Sequence, residues 1–211
     1  MDRCHVSVRS ESGEPVLLET DHILIATGSV PACPPIPGAD LPGVVTSDGL
    51  LDKQDMFGHL IIIGGGVIGM EFASIYSSLG HPVTVIEALD RILPGMDKEI
   101  AQNLKMILKK RGTDIHTGAR VEEILRAGDG RGLACRFVEK DKAWEVTADG
   151  ILIATGRRAY TGGLISEESS QDIKDMAMER GRIVTDGNHE TSVPGIYAIG
   201  DVAGGIQLAH A

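Results

Sequence analysis

The feature that most constrains this sequence is a stretch that begins with an apolar, β-branched run, Leu60 to Ile63. The run stops at glycine, and Gly64, Gly66 and Gly69 then have the spacing G-x-G-x-x-G, so the pattern predicts a strand, a tight turn and a helix. In such a turn the first glycine allows the sharp bend. The second has no Cβ and lets a pyrophosphate approach the main chain, and the third lets the helix pack closely on the strand. The helix N-terminus would offer N–H groups and the positive end of its dipole to the phosphates.

A carboxylate follows this motif at the distance expected for a nucleotide site. The helix predicted over residues 70–79 leads to a second strand over residues 83–86, which ends in Glu87, 18 residues beyond Gly69. An acidic side chain at that place accepts hydrogen bonds from both ribose hydroxyls of an adenosine and repels a 2′-phosphate. The sequence therefore predicts a site that prefers NAD(H) to NADP(H). The alternative is a purely structural turn with Glu87 as an ordinary exposed carboxylate.

Composition excludes several other classes of protein. A chain of 211 residues with 42% apolar residues can build a core in one or two domains. The net charge of −10 argues against nucleic acid and anionic membranes as partners, and no apolar run approaches the roughly 20 residues needed to span a bilayer. The three cysteines, Cys4, Cys33 and Cys135, are far apart, which favours a reducing cytoplasm without a disulfide framework.

Breaks in the pattern predict the domain organisation. Five prolines between residues 31 and 42 exclude a helix there and indicate a stiff connection between two folded units. We therefore expect residues 1–57 to hold part of one domain and this connection. Residues 58–157 would form a nucleotide-binding domain, and residues 158–211 would return to the first domain. The predicted fold class is α/β, a Rossmann-like domain with a parallel sheet and an antiparallel β-meander, flanked by pieces of a second domain.

The remaining elements follow from periodicity. Residues 6–8 and 16–18 are expected to be strands of a hairpin, and Asp97 is expected to cap a helix over residues 98–111. A short strand near residues 114–116 comes next. Three strand-like segments separated by turns then predict the meander, over residues 120–125, 133–138 and 143–147.

One hexapeptide, ILIATG, occurs twice, at residues 23–28 and 151–156, both times after an acidic residue and one intervening position. The identity predicts two similar buried strands whose carboxyl ends face a ligand crevice, and two unrelated strands are the alternative. Near the end of the chain another buried strand is followed by Gly200 and Asp201. An aspartate there can hydrogen-bond a hydroxyl of a polyol ligand or cap a helix.

Taken together, these motifs resemble the pyridine nucleotide–disulfide oxidoreductases, flavoproteins that bind two dinucleotides. Among members of that family, the set is most similar to the enzymes that oxidise dihydrolipoamide. The motifs span nearly the whole chain in the family's order, at residues 26–28, 64–71, 87, 89–91, 96–100, 154–157, 197–201 and 208–210.

The resemblance implies particular cofactor contacts. The positions that match NAD contacts are Gly64, Gly65, Gly66, Val67, Ile68, Gly69, Met70, Glu71, Glu87, Val121 and Gly156. The positions that match FAD contacts are Thr27, Gly28, Ser29, Asp201, Gln207, Leu208, Ala209 and His210. Glu71 matches a carboxylate near the place where nicotinamide meets flavin, although a helix-surface glutamate paired with a lysine is the alternative. Arg157 would lie near the cofactor phosphates or the entrance to the nicotinamide pocket.

Two parts of the family pattern do not occur in these 211 residues. There is no first G-x-G-x-x-G followed by a C-x-x-x-x-C redox disulfide, and there is no dimerisation domain with its His–Glu pair. We therefore expect no catalytic residue and no metal ligand here, and we expect the chain to be the NAD-binding part of a longer FAD-dependent dithiol/disulfide oxidoreductase.

The resemblance also implies partners and leaves alternatives open. The whole protein would be a homodimer, and it would be a component of a 2-oxo acid dehydrogenase or glycine cleavage system. It could instead be an NADH oxidase or a mercuric reductase-like flavoenzyme of the same family. A third alternative is a redox-inactive nucleotide-binding module.

Overall fold

The computed structural model describes residues 3–8, 13–128, 130 and 132–205. The chain divides into two compact units, which we name the sheet unit, Pro31–Gly156, and the split unit, Met1–Val30 with Arg157–Ala211. The first boundary therefore follows Val30 and not residue 57. The reason is that residues 44–46 form a strand of the parallel sheet.

The secondary structure consists of short strands and four helices within the described ranges. In chain order the elements are β1 (His5–Val8), β2 (Val16–Glu19), β3 (Ile23–Ile25), β4 (Ser29–Pro31), β5 (Val44–Thr46), α1 (Ser47–Leu51), β6 (Leu60–Ile63), α2 (Val67–Ser78), β7 (Val83–Glu87), α3 (Lys98–Lys110), β8 (Asp114–Thr117), β9 (Ala119–Arg126), β10 (Leu133–Glu139), β11 (Lys142–Ala148), β12 (Gly150–Ile153), β13 (Arg157–Ala159), α4 (Gln171–Lys174), β14 (Met178–Glu179), β15 (Arg182–Ile183), β16 (Ile196–Ala198) and a 3₁₀ turn (Gly200–Val202).

A five-stranded parallel sheet, in the order β5-β12-β6-β7-β8, forms the centre of the sheet unit. Strands β6, β7 and β12 are buried along their whole length, as expected for parallel strands that are covered on both faces. Ile62 and Val85 point to the helical side, where they share a core cluster with Met70 of α2 and Leu108 of α3. The predicted Rossmann-like arrangement is confirmed.

The other face of the sheet is covered by the meander. Strands β9, β10 and β11 pair antiparallel in the order β11-β10-β9, as the sequence predicted. Ile61 and Ile151 from the parallel sheet share a second core cluster with Phe137 and Cys135 of β10. Alternate side chains of each central strand therefore enter different cores, and this alternation fixes the strand register.

The proline-rich segment, which the sequence predicts as a stiff connection without a helix, also packs against the core of the sheet unit. Ile36 and Leu41 pack against the core cluster on the meander side, and the Ile124 N–H donates a hydrogen bond to the Pro37 carbonyl oxygen over 2.8 Å. A Cβ on Gly38 would lie 2.0 Å from the Ile124 carbonyl oxygen, so the proline-rich segment and strand β9 are in close contact there. The prolines exclude a helix, but the apolar residues between them still anchor the segment.

The split unit contains several two-stranded pairs around a third core cluster. Strands β1 and β2 form the expected antiparallel hairpin, and β3 pairs in parallel with β16. The core cluster includes Ile183, Ile196 and Val202, with Ile23 and Ile25 packed against it. In the described part of the chain, no helix has the length and apolar character needed to cross a bilayer.

The two copies of the repeated hexapeptide adopt similar local structures within their own units. Each copy supplies a parallel strand, β3 or β12, which is followed by a Thr-Gly turn with positive φ at the glycine, 71° at Gly28 and 129° at Gly156. In the split unit the Thr27 hydroxyl donates to the Tyr160 carbonyl oxygen over 2.6 Å. In the sheet unit Thr155 donates to the Ala32 carbonyl oxygen over 3.0 Å.

Candidate functional site

The glycine turn between β6 and α2 has three glycines with three different surroundings. Gly64 has a φ of 112°, and a Cβ there would lie 2.4 Å from the Ala154 carbonyl oxygen. A Cβ on Gly69 would lie 2.0 Å from the Gly64 carbonyl oxygen, so the helix could not approach the turn. A Cβ on Gly66 would meet no atom within 4 Å. The first and third glycines are thus required by the protein's own backbone, whereas the second faces open space.

The N-terminus of α2 is suited to an anion. The helix begins at Val67 after Gly66 as N-cap, no side chain forms a capping hydrogen bond, and no acidic residue lies in the first turn. The positive end of the helix dipole is therefore not neutralised by a side chain of the helix itself. The side chains here differ in their environment: Val67 is exposed, Ile68 packs partly against the core, and Met70 is buried.

Glu87 lies beside this turn at the carboxyl end of β7, with 8% of its surface exposed. Its Oε2 accepts a hydrogen bond from the Gly65 N–H over 2.5 Å, and its Oε1 accepts one from the Leu89 N–H over 2.7 Å. The alternative that Glu87 is an ordinary exposed carboxylate is therefore wrong. Each carboxylate oxygen keeps a second lone pair that could accept a further hydrogen bond.

The loop after β7 supports the turn from the other side. The Leu93 N–H donates to the Gly65 carbonyl oxygen over 2.8 Å, and the Gly118 N–H donates to the Leu89 carbonyl oxygen over 2.6 Å. The sequence analysis assigns no role to Leu93, so this contact was not predicted. The contact joins two residues that are 28 positions apart and lie outside regular secondary structure, so no local sequence pattern predicts it.

The other expected NAD positions lie at different places in the sheet unit. Val121 is a half-buried residue of β9 that packs against the core cluster containing Ile86, the residue before Glu87. Gly156 is exposed at the end of the unit. Glu71 is exposed on α2 and has no ion-pair partner among the described residues.

In the split unit, two of the expected residues, Arg157 and Asp201, both form hydrogen bonds with the hydroxyl of a third, Ser29. Ser29 donates a hydrogen bond from Oγ to Asp201 Oδ2 over 2.5 Å. Arg157 donates from Nε to the Ser29 Oγ over 2.7 Å and from Nη2 to the Ser29 carbonyl oxygen over 2.7 Å. Asp201 lies inside the 3₁₀ turn and is not its N-cap, which is Ile199. Its side chain is therefore engaged by Ser29 instead of capping that turn.

Two further points concern the flavin positions. A Cβ on Gly28, next to Thr27, would meet no atom within 4 Å, so this turn also leaves room beside the main chain. The expected positions Gln207, Leu208, Ala209 and His210 lie outside the described residues.

The described part of the chain contains no group of three or more His, Cys, Asp or Glu residues that could hold a metal ion. All three cysteines are free thiols: Cys33 is exposed, Cys4 is half-buried and Cys135 is buried. Burial raises the pKa of the Cys135 thiol to about 12, because the thiolate is poorly solvated there. Cys135 is therefore a core residue and not a nucleophile.

Comparison with known proteins gives consistent matches over the whole chain. The family model described as pyridine nucleotide-disulphide oxidoreductase matches residues 1–211. "Dihydrolipoyl dehydrogenase 3" of Pseudomonas putida is 39% identical over 207 residues, which are 97% of this chain and 43% of that protein. "Probable pyridine nucleotide-disulfide oxidoreductase RclA" of Escherichia coli is 39% identical over 191 residues, which are 90% of this chain and 41% of that protein.

A solved structure agrees with these matches. The HOCl-induced flavoprotein disulfide reductase RclA from Escherichia coli superposes with a TM-score of 0.85 at 35% identity, covering 99% of this chain and 45% of that one. The chain thus spans less than half the length of the relatives described.

Proposed function

Because the chain belongs to the pyridine nucleotide-disulphide oxidoreductase family, we propose that its sheet unit binds NAD(H) within an FAD-dependent dithiol/disulfide oxidoreductase. When bound, nicotinamide and flavin supply the hydride and electron transfer, and the protein binds and orients them. The observation that carries the proposal is the buried Glu87 carboxylate, hydrogen-bonded to the glycine turn beside the uncapped start of α2.

Each part of this site would hold a different part of the dinucleotide. The open side of Gly66 and the first turn of α2 would bind the pyrophosphate, since main-chain N–H groups and the helix dipole favour an anion there. Glu87 would accept hydrogen bonds from the adenosine ribose and would disfavour a 2′-phosphate by charge repulsion. Val121 and Gly156 would contact other parts of the dinucleotide, and Glu71 would lie near the nicotinamide.

The split unit would contribute to an FAD site. Thr27 and Gly28 would pass close to the flavin nucleotide, while Ser29 and Asp201 would hydrogen-bond its polyol chain. The open space beside Gly28 and the Ser29–Asp201 hydrogen bond support this assignment. On this proposal the split unit is part of an FAD domain and the sheet unit is the NAD domain.

The substrate of the whole protein is proposed from its relatives. The similarity to proteins named dihydrolipoyl dehydrogenase favours oxidation of dihydrolipoamide with reduction of NAD, by a homodimer that serves a 2-oxo acid dehydrogenase or glycine cleavage system. The match to RclA favours a second candidate, a disulfide reductase of another specificity. Assaying the full-length protein with dihydrolipoamide and NAD separates them, because only the first candidate predicts turnover.

A calorimetric titration of the 211-residue chain tests the nucleotide site. The unaltered chain should bind NADH more tightly than NADPH. Glu87→Ala should weaken NADH binding by roughly 1–3 kcal/mol, because charge-assisted hydrogen bonds to the ribose are lost. Glu122→Ala, which removes an exposed carboxylate of β9, is the matched control and should leave both affinities unchanged. NADPH binding as tight as NADH binding in the unaltered chain would contradict the role of Glu87.

A further inference from the structure

Three hydrogen bonds connect the Glu87 carboxylate, the glycine turn and the loop after β7. The Gly65 N–H donates to Glu87 Oε2, while the Gly65 carbonyl oxygen accepts from the Leu93 N–H over 2.8 Å. Leu89, earlier in the same loop, donates its N–H to the other carboxylate oxygen over 2.7 Å. The main chain of Gly65 is therefore held on both sides, by Glu87 through the Gly65 N–H and by Leu93 through the Gly65 carbonyl oxygen.

Leu93 has a backbone conformation that a leucine rarely adopts. Its φ is 48°, in the left-handed region where a Cβ is disfavoured. Its side chain is only 6% exposed and belongs to the same core cluster as Met70 and Ile92. A conformation of this kind persists when the surroundings impose it, and such residues cluster at ligand sites. In this conformation the buried Leu93 donates its N–H to the Gly65 carbonyl oxygen.

Close packing leaves Glu87 little freedom to move. A Cβ on Gly65 would lie 3.1 Å from Glu87 Cβ, from Glu87 Oε2 and from Ile92 Cγ2, so the Glu87 and Ile92 side chains pack closely against Gly65. An exposed glutamate could rotate into solvent and so admit a 2′-phosphate. A glutamate held by two N–H groups cannot rotate without breaking those bonds. How well the site rejects NADP(H) should therefore depend on the groups that hold the main chain of Gly65 in place.

We propose that Leu93 is a positioning residue of the nucleotide site, which fixes Glu87 through the main chain of Gly65 and thereby sets the discrimination between NAD(H) and NADP(H). The identity of the ligand rests on the proposed function. The positioning itself rests on the geometry of the ligand-free chain.

Amide hydrogen exchange, measured by NMR on the ligand-free chain, tests the positioning without any nucleotide. The Gly65 amide should be protected in the unaltered chain. In Leu93→Ala it should exchange at least about tenfold faster, because local opening of the turn becomes easier. Leu50→Ala is the matched control, since Leu50 is 7% exposed in the same core cluster but lies in α1, and it should leave the Gly65 amide protected. Equal protection in Leu93→Ala and Leu50→Ala would overturn the proposal.

The ratio of NADPH to NADH dissociation constants tests the consequence. The ratio should fall about tenfold or more in Leu93→Ala, stay unchanged in Leu50→Ala and be restored in Leu93→Met. A purely structural role would weaken both nucleotides equally and leave the ratio constant, which would overturn the proposal. If Leu93→Ala does not fold, Leu93→Val serves instead. It keeps most of the apolar volume but disfavours the left-handed conformation more strongly, and the ratio should fall in the same direction.

The two ideas fail in different ways. An unaltered chain that binds neither nucleotide contradicts the proposed function, and with it the discrimination assigned to Leu93. An unaltered chain that prefers NADH, together with a Leu93→Ala variant that keeps the same preference, contradicts only the role of Leu93.

Discussion

At the scale of single residues, the glycines of the turn have different roles: the fold itself requires Gly69, but it does not require Gly66. Gly69 is required by the protein's own backbone, because a Cβ there would lie 2.0 Å from the Gly64 carbonyl oxygen. Gly66 has no such neighbour, since nothing lies within 4 Å of its Cβ position. On the proposed function, the glycine at this place leaves room for the pyrophosphate to approach the main chain.

This difference predicts opposite effects for two substitutions of the same kind. Gly69→Ala should lower the free energy of unfolding by about 3 kcal/mol, because the helix and the turn must separate. Gly66→Ala should lower the free energy of unfolding by at most about 1 kcal/mol, the cost of an alanine at the N-cap, but weaken NADH binding at least tenfold, because the methyl group occupies the path of the pyrophosphate. Denaturant unfolding and NADH titration measure the two effects. Gly95→Ala, another site with open surroundings, is the control.

His59 provides a pH dependence that is independent of the nucleotide site. Burial lowers the pKa of this imidazole below the usual 6.5, and its Nε2 lies 3.1 Å from Thr84 Oγ1. Since the unfolded chain then binds a proton more readily than the folded one, stability should fall as the pH drops below about 6.5. His59→Gln should flatten that part of the stability curve, as measured by thermal unfolding between pH 5 and 8, whereas exposed His22→Gln should not. An unchanged curve in His59→Gln would show that other groups cause the acid sensitivity.

At the scale of elements, the strands were the most predictable part of the fold, because the apolar runs Leu60–Ile63 and Val83–Glu87 have the composition of parallel strands buried on both faces. Helix α2 begins at Val67, three residues before the expected residue 70. Gly69 therefore lies inside the helix, although glycine has a low helix propensity.

The contacts that sequence reasoning missed are those between distant segments. Prolines correctly excluded a helix before β5, but they carry no information about the packing of Ile36 on the meander side. The position of Glu87 at the carboxyl end of the second strand was predictable from sequence. The roles of Gly65 and Leu93 were not, because they depend on irregular loops that approach each other only in the folded chain.

Helix α3 offers a direct test of a capping assignment made from sequence. Asp97 Oδ1 accepts hydrogen bonds from the N–H groups of Glu99 over 2.8 Å and Ile100 over 3.4 Å. Asp97→Ala should therefore lower the free energy of unfolding by about 1 kcal/mol, and Asp97→Ser should recover most of it. Denaturant unfolding of the three chains checks this. Equal stability of Asp97→Ala and the unaltered chain would mean that the cap does not stabilise the fold.

At the scale of the whole molecule, the proposed function combines membership of one family with the geometry of one site. The family model covers residues 1–211, and the relatives described share 39% identity with the chain. The fold places one carboxylate beside the main-chain N–H groups of the glycine turn, and this single pairing connects the sequence motif with the proposed nucleotide preference.

A crystal structure of the chain with NADH would test the proposed nucleotide site. We expect the pyrophosphate against Gly66 and the first turn of α2, with the Glu87 carboxylate within hydrogen-bonding distance of the adenosine ribose hydroxyls. A dinucleotide bound elsewhere, or a Glu87 carboxylate that makes no contact with the sugar, would contradict it.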